Sequence, residues 1–179
     1  MVNYDELIAL AKKSGFTEAA PLDVGTLEFL QDVRDMCNPN QCQKFGKVWS
    51  CPPACPSLEE MRETVRRYSR GILVQTVGQL EDSYDWDGIQ DAAKRQSEHF
   101  IKLWDALEPL YPRLYPMGTG GCSKCETCTY PDEPCRFPER MAPSMEACGL
   151  FVSKVCADNG MKYNYGPNTI AYTACFLLE

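Results

Sequence analysis

Apolar positions recur along this chain in two periods, and the period predicts each element in turn. From Asn3 to Gly15, Leu7, Leu10 and Ala11 fall on one helical face. Asn3 and Glu6 have capping-box spacing, Lys12 and Lys13 suit the negative C-terminal end, and Gly15 is the stop. Residues 17–24 predict a short strand. Leu27, Leu30 and Val33 recur at helical spacing, so residues 27–36 predict a helix that delivers Cys37 at its end. Ser57 and Glu60 form a second capping box ahead of the stripe Leu58, Met61, Val65 and Tyr68. The run GILVQTV at 71–77 predicts a buried strand, and the acidic stretch EDSYDWDG at 81–88 a surface turn. Ile89, Ala92, Ala93, Gln96, Phe100, Leu103, Trp104 and Leu107 outline a long helix that Pro109 and Pro112 end. Pro143-Ser144 predicts the start of another helix, with Met145, Cys148, Val152 and Val155 on one face and Gly160 as its stop. Residues 169–178 (TIAYTACFLL) predict a last apolar strand.

Alternating helices and strands imply an α/β or α+β fold, a small central sheet flanked by helices. With no repeat or linker, residues 1–179 are expected to form one domain. Residues 38–56 and 111–143 are rich in Pro and Gly and predict loops. Structureless loops this long are uncommon in a domain unless they are functional.

Both loops are rich in cysteine, at 37–56 and 117–138, and the cysteine count changes the picture. The chain has 179 residues, 11 of them Cys and one of them His. A chain of this length buries a core without disulfide staples. The net charge of −7 argues against nucleic acid or an anionic membrane as a partner held by bulk charge. No run suggests a signal peptide or a membrane span, so a cytoplasmic protein is expected. Thiols stay reduced there, and clustered cysteines then point to metal or redox chemistry. His99 cannot build a His-rich site; it reads as an ordinary half-buried or surface histidine.

Eight cysteines form two tetrads. Cys122-x2-Cys125-x2-Cys128-x6-Cys135 lets one tight loop wrap three corners of a cubane cluster, with a fourth ligand further on. The gap to the fourth is longer than in bacterial ferredoxins, and Arg136 stands where their run has proline. Gly118, Gly120 and Gly121 lead in. Zinc sites favour two separated C-x-x-C knuckles or mixed Cys and His. The first tetrad, Cys37-x4-Cys42-x8-Cys51-x3-Cys55, is looser, with prolines after Cys51 and Cys55. Leu58 stands where a radical-SAM triplet would need its third cysteine. Lys44 and Lys47 are the only charges between Cys37 and Cys55 and would offset a thiolate centre. Each tetrad could hold its own cluster, or the two could exchange ligands. Cys148, Cys156 and Cys175 read as core; Cys148, nearest Cys135 in sequence, is the spare ligand if one is needed. Trp49, Tyr163 and Tyr165 read as packing aromatics.

The strings CQKFGKVWSCPP at 42–53, CSKCETC at 122–128, PCRFP at 134–138, PSMEA at 143–147 and YGPNT at 165–169 resemble a prokaryotic family of predicted metal-binding proteins of unknown function. The resemblance runs from Cys37 to the C-terminus. It implies metal binding and an iron–sulfur protein of the kind found in anaerobes, and it implies no particular reaction.

The readings to carry forward are three. One is an electron-transfer protein with one or two [4Fe–4S] clusters, its acidic surface docking on a basic patch of a redox partner. A second is an iron–sulfur enzyme or reductive activator with an open cluster site. A third is a zinc-stabilised interaction module.

Overall fold

The computed structural model describes residues 3–39 and 42–179. Residues 1 and 2, in the stretch expected to carry no signal peptide, lie outside the described residues. So do residues 40 and 41 of the first cysteine loop.

Helix α1 (Tyr4–Ser14) starts on Asn3, whose side chain accepts the backbone N–H groups of Asp5 and Glu6. Gly15 ends it in the left-handed region at φ +114°, and a Cβ there would lie 2.3 Å from the His99 ring. Strand β1 (Glu18–Leu22) follows, then a 3-10 turn at Val24–Thr26. Helix α2 spans Gln31–Asp35, and α3 spans Leu58–Val65 behind the Ser57/Glu60 capping box. Strand β2 (Arg70–Gln79) leads to the long helix α4 (Trp86–Leu107). Then come β3 (Leu114–Met117), a 3-10 turn at Pro138–Arg140, α5 (Val152–Asp158) and β4 (Thr169–Leu178).

The four strands pair antiparallel in the order β1-β2-β4-β3, which makes the fold α+β rather than α/β. Leu73 pairs with Cys175 and Val74 with Ala174 at the sheet centre. Both faces are covered. Ile72, Val74, Ala174, Phe176 and Leu178 pack with Leu7, Ala11, Leu103 and Leu107 of α1 and α4. Leu73, Cys175 and Leu177 face the other way, onto Leu58, Met61, Val65, Val155 and Cys156 of α3 and α5. Burial on both faces explains why the two central strands read as continuous apolar runs. Pro21 and Pro116 sit in β1 and β3, the edge strands, where a missing N–H costs no central ladder bond.

Four expected boundaries move. Residues 111–143 are not all loop, because β3 pairs with the end of β4. The helix expected from Ser144 begins only at Val152. Gly149 interrupts it at φ +85°, and a Cβ there would meet Leu58 Cδ2 at 2.7 Å and the Leu30 carbonyl at 2.8 Å. The helix expected over 27–36 shrinks to α2, because Phe29 bridges to Leu150 and the Leu30 N–H bonds the Gly149 carbonyl. Helix α4 starts earlier than Ile89, capped by Asp85, whose carboxylate accepts the Gly88 N–H at 2.9 Å. Among the described residues no helix is long and apolar enough to cross a membrane.

Candidate metal centre

The first cysteine segment runs from the end of α2 to the start of α3 through turns and bends. Arg34, on α2, fastens it. Its guanidinium donates to the carbonyls of Cys55 (3.2 Å), Pro56 and Ala147 (3.3 Å), tying the segment to the turn before α5. Cys51 and Cys55 are buried, Cys37 is half-buried and Cys42 is exposed. Burial pushes the Cys37 thiol up, and Cys42, Glu146 and Cys55 add to it by charge repulsion. Burial pushes Cys51 up to about 12, with Cys42, Cys55 and Cys37 adding and the Ser50 hydroxyl opposing. Burial also raises Cys55, against the Arg34 charge.

The second cysteine segment leaves the end of β3. Gly118 is held by reciprocal backbone bonds, its N–H to the Pro143 carbonyl and its carbonyl to the Met145 N–H. Cys122, Cys125, Cys128 and Cys135 are each half-buried and line one cavity of about 50 Å³. Val48, Trp49, Phe137 and Met141 supply its apolar wall, and Lys44, Lys124 and Arg136 its positive charge. Burial raises the Cys122 thiol, and Cys135, Cys125 and Cys128 raise it further. The loop is braced by Arg136 Nη1 on the Thr127 carbonyl (2.9 Å) and Thr129 Oγ1 on the Pro134 carbonyl (2.9 Å).

The two segments pack on each other. Ser50 Oγ accepts the Cys122 N–H at 2.8 Å. Trp49 Nε1 donates to the Glu133 carbonyl at 3.1 Å, and its ring meets Tyr130 edge-on at 4.9 Å. Gly121 has no room for a side chain: a Cβ would lie 3.0 Å from Cys51 Sγ and 2.9 Å from Lys44 Cγ. Residues 50–51 and 121–122 are thus the seam between two cysteine groups. Among the described residues no three His, Cys, Asp or Glu side chains converge on one point as ligands of a single ion would.

A family model described as "Predicted metal-binding protein (DUF2284)" matches residues 20–178. The chain belongs to the DUF2284 family. The matched span holds all eleven cysteines of this DUF2284 protein. No curated protein and no solved structure matches the chain.

In this DUF2284 chain Cys148, Cys156 and Cys175 are buried in the core between the sheet and α3 and α5. The Cys148 thiol is raised by burial and then by Cys55 and Cys175. Cys156 and Cys148 do not share a helix: Cys148 lies in the turn that Gly149 closes. His99 is half-buried on α4, its Nδ1 2.9 Å from Thr76 Oγ1 and its ring edge-on to Phe16. Three residues around the site escaped the sequence reading: Arg34, Ser50 and Glu146. The Glu146 carboxyl is raised by burial, and its charge helps to raise the Cys37 thiol. Their contacts span 21 to 113 positions in sequence, so no local spacing announces them.

Proposed function

We propose that this metal-binding protein is an iron–sulfur protein whose two cysteine groups each hold a [4Fe–4S] cluster and pass electrons to a partner. The observation that carries the reading is the second group, where four thiols line one cavity. A tetrahedral zinc holds its sulfurs about 2.3 Å from a single centre. A cubane instead spreads its ligands around a volume, as a C-x-x-C-x-x-C run with a distant fourth cysteine does. The clusters, when bound, supply one-electron redox chemistry. The chain's own groups do the rest. Lys44, Lys124 and Arg136 offset thiolate charge, and Trp49, Phe137 and Met141 limit water. Hydrogen bonds to sulfur and exclusion of water are what set a cluster's potential. The seam at Ser50–Cys51 and Gly121–Cys122 supports electron exchange between the groups. With a net charge of −7, the partner is expected to present a basic docking patch, a cytoplasmic redox protein by this reading.

An iron–sulfur enzyme is the second reading. It is favoured by a separate cavity that reaches Cys122 from the α4 side.

The test is the double variant Cys125→Ser, Cys128→Ser, purified without oxygen. Iron and sulfide should fall to about half of the wild-type content, and trypsin should cut faster within 111–143. Unchanged iron with an unchanged cleavage pattern contradicts the assignment.

A further inference from the structure

Two aromatic side chains stand out from the turn between β2 and α4: Tyr84, 92% exposed, and Trp86, 67% exposed. The turn is held in one shape. Asp82 accepts the Tyr84 N–H at 2.7 Å, and Asp85 accepts those of Glu81 (3.0 Å) and Gly88 (2.9 Å). Residues 81–87 carry four carboxylates and no basic residue. None of the four has an ion pair among the described residues. Trp and Tyr are the side chains that most often anchor protein contacts, and a turn already ordered loses little entropy on docking.

At the other end of β2, beside Tyr68 and Ser69, lies an open groove of about 580 Å³. Val24, Leu27, Phe29, Val65 and Tyr68 give it apolar walls, and Arg62 and Arg66 stand among them. Arg62 is taken up by Glu59 (3.3 Å) and by the Phe29 carbonyl (2.8 Å). Arg66 is exposed and, like Arg67 and Arg70, has no ion pair among the described residues. Residues 62–70 hold four arginines against the single acid Glu63. Glu28, the acid in the lining, lies 3.9 Å from Lys154, and Glu179, which bonds Ser69, lies 3.7 Å from Arg113. The groove is therefore apolar inside and positive at its rim, the complement of the turn.

Strand β2 is ten residues, about 30 Å, so the turn and the groove of one chain cannot meet. Those of two chains can. We propose that this protein associates head to tail, the Tyr84/Trp86 turn of one copy seated in the Arg66 groove of the next. A second copy is favoured over a foreign protein because both halves of the contact, apolar and charged alike, are present in one sequence. Such a contact is heterologous: a copy that gives its turn still offers a groove, so association continues until a ring closes. It does not depend on which metal the cysteines hold.

Sedimentation of the metal-loaded protein tests this. At low salt the wild type should run at twice the chain mass or more, and it should dissociate as ionic strength rises from about 0.01 M to about 1 M. Trp86→Ala and Arg66→Glu change exposed side chains, so metal content and circular dichroism should stay as in the wild type. Each alone should weaken association about tenfold or more. Mixed, they should form a one-to-one dimer that grows no further, because one variant keeps its groove and the other its turn. A monomer at low salt, association indifferent to salt or to either variant, or a mixture that fails to pair would overturn the proposal. So would a monomer that binds oligo-arginine through Trp86, which would assign the turn to a foreign basic partner.

Discussion

At the scale of single residues, the glycines before Cys122 separate two physical roles. Gly120 has φ +67° and open space around the position of a Cβ, whereas Gly121 is crowded by Cys51 Sγ and Lys44. Gly120→Ala should cost about 1–2 kcal/mol of backbone strain and leave the metal content alone. Gly121→Ala should cost a similar amount, about 1–3 kcal/mol by overpacking, and also lower metal retention, because it pushes the seam apart. Urea unfolding together with metal analysis of both variants checks this; equal metal retention would refute the seam's role. The cysteine spacing was readable from the sequence because the cysteines of one loop are local. Ser50, Arg34 and Glu146 were not, because each acts on a segment folded in from elsewhere.

Elements were legible where periodicity and caps agreed and obscure where tertiary contacts overrode them. The Ser57/Glu60 box and the stripe behind it gave α3 its place. Strand β3 was hidden, being four residues long with a proline inside and recognisable only through its pairing with β4. The Ser144 helix failed because Gly149 turns the chain against Leu30 and Leu58, a contact no local pattern encodes. Helix α4 carries its own prediction through His99. Burial holds this imidazole's pKa below the ordinary 6.5, with Lys102 and Arg95 assisting and Glu98 opposing. The unfolded chain then binds the proton more readily than the folded one, so unfolding stability rises with pH across that window. The contribution is complete above the unfolded value and is lost as pH falls through the folded one. Relative to His99→Gln, the wild type should lose urea resistance between about pH 7.5 and about pH 5.5. A constant difference between the two across that range would show that His99 is not titrating in this way.

For the whole molecule, continuous apolar strands with helices between them left α/β and α+β both open. The answer came from pairing: all three strand pairs are antiparallel, and helices cover both faces without parallel crossovers. The same topology decides what the two cysteine loops do. They are separated by 66 residues between Cys55 and Cys122, yet the turn before α5 and the end of β3 bring them into contact at Ser50 and Gly121. Sequence spacing could propose two centres and could not say that they are neighbours. Membership of a metal-binding family agrees with thiol ligation, and the arrangement of the second tetrad around a cavity is the basis for a cluster over a lone ion. The most direct test of that claim is iron, sulfide and zinc content per chain, with a visible spectrum, in oxygen-free protein. Two [4Fe–4S] clusters predict a brown protein with about eight iron and about eight sulfide per chain and absorbance near ~400 nm. A colourless protein with stoichiometric zinc and no sulfide would contradict it.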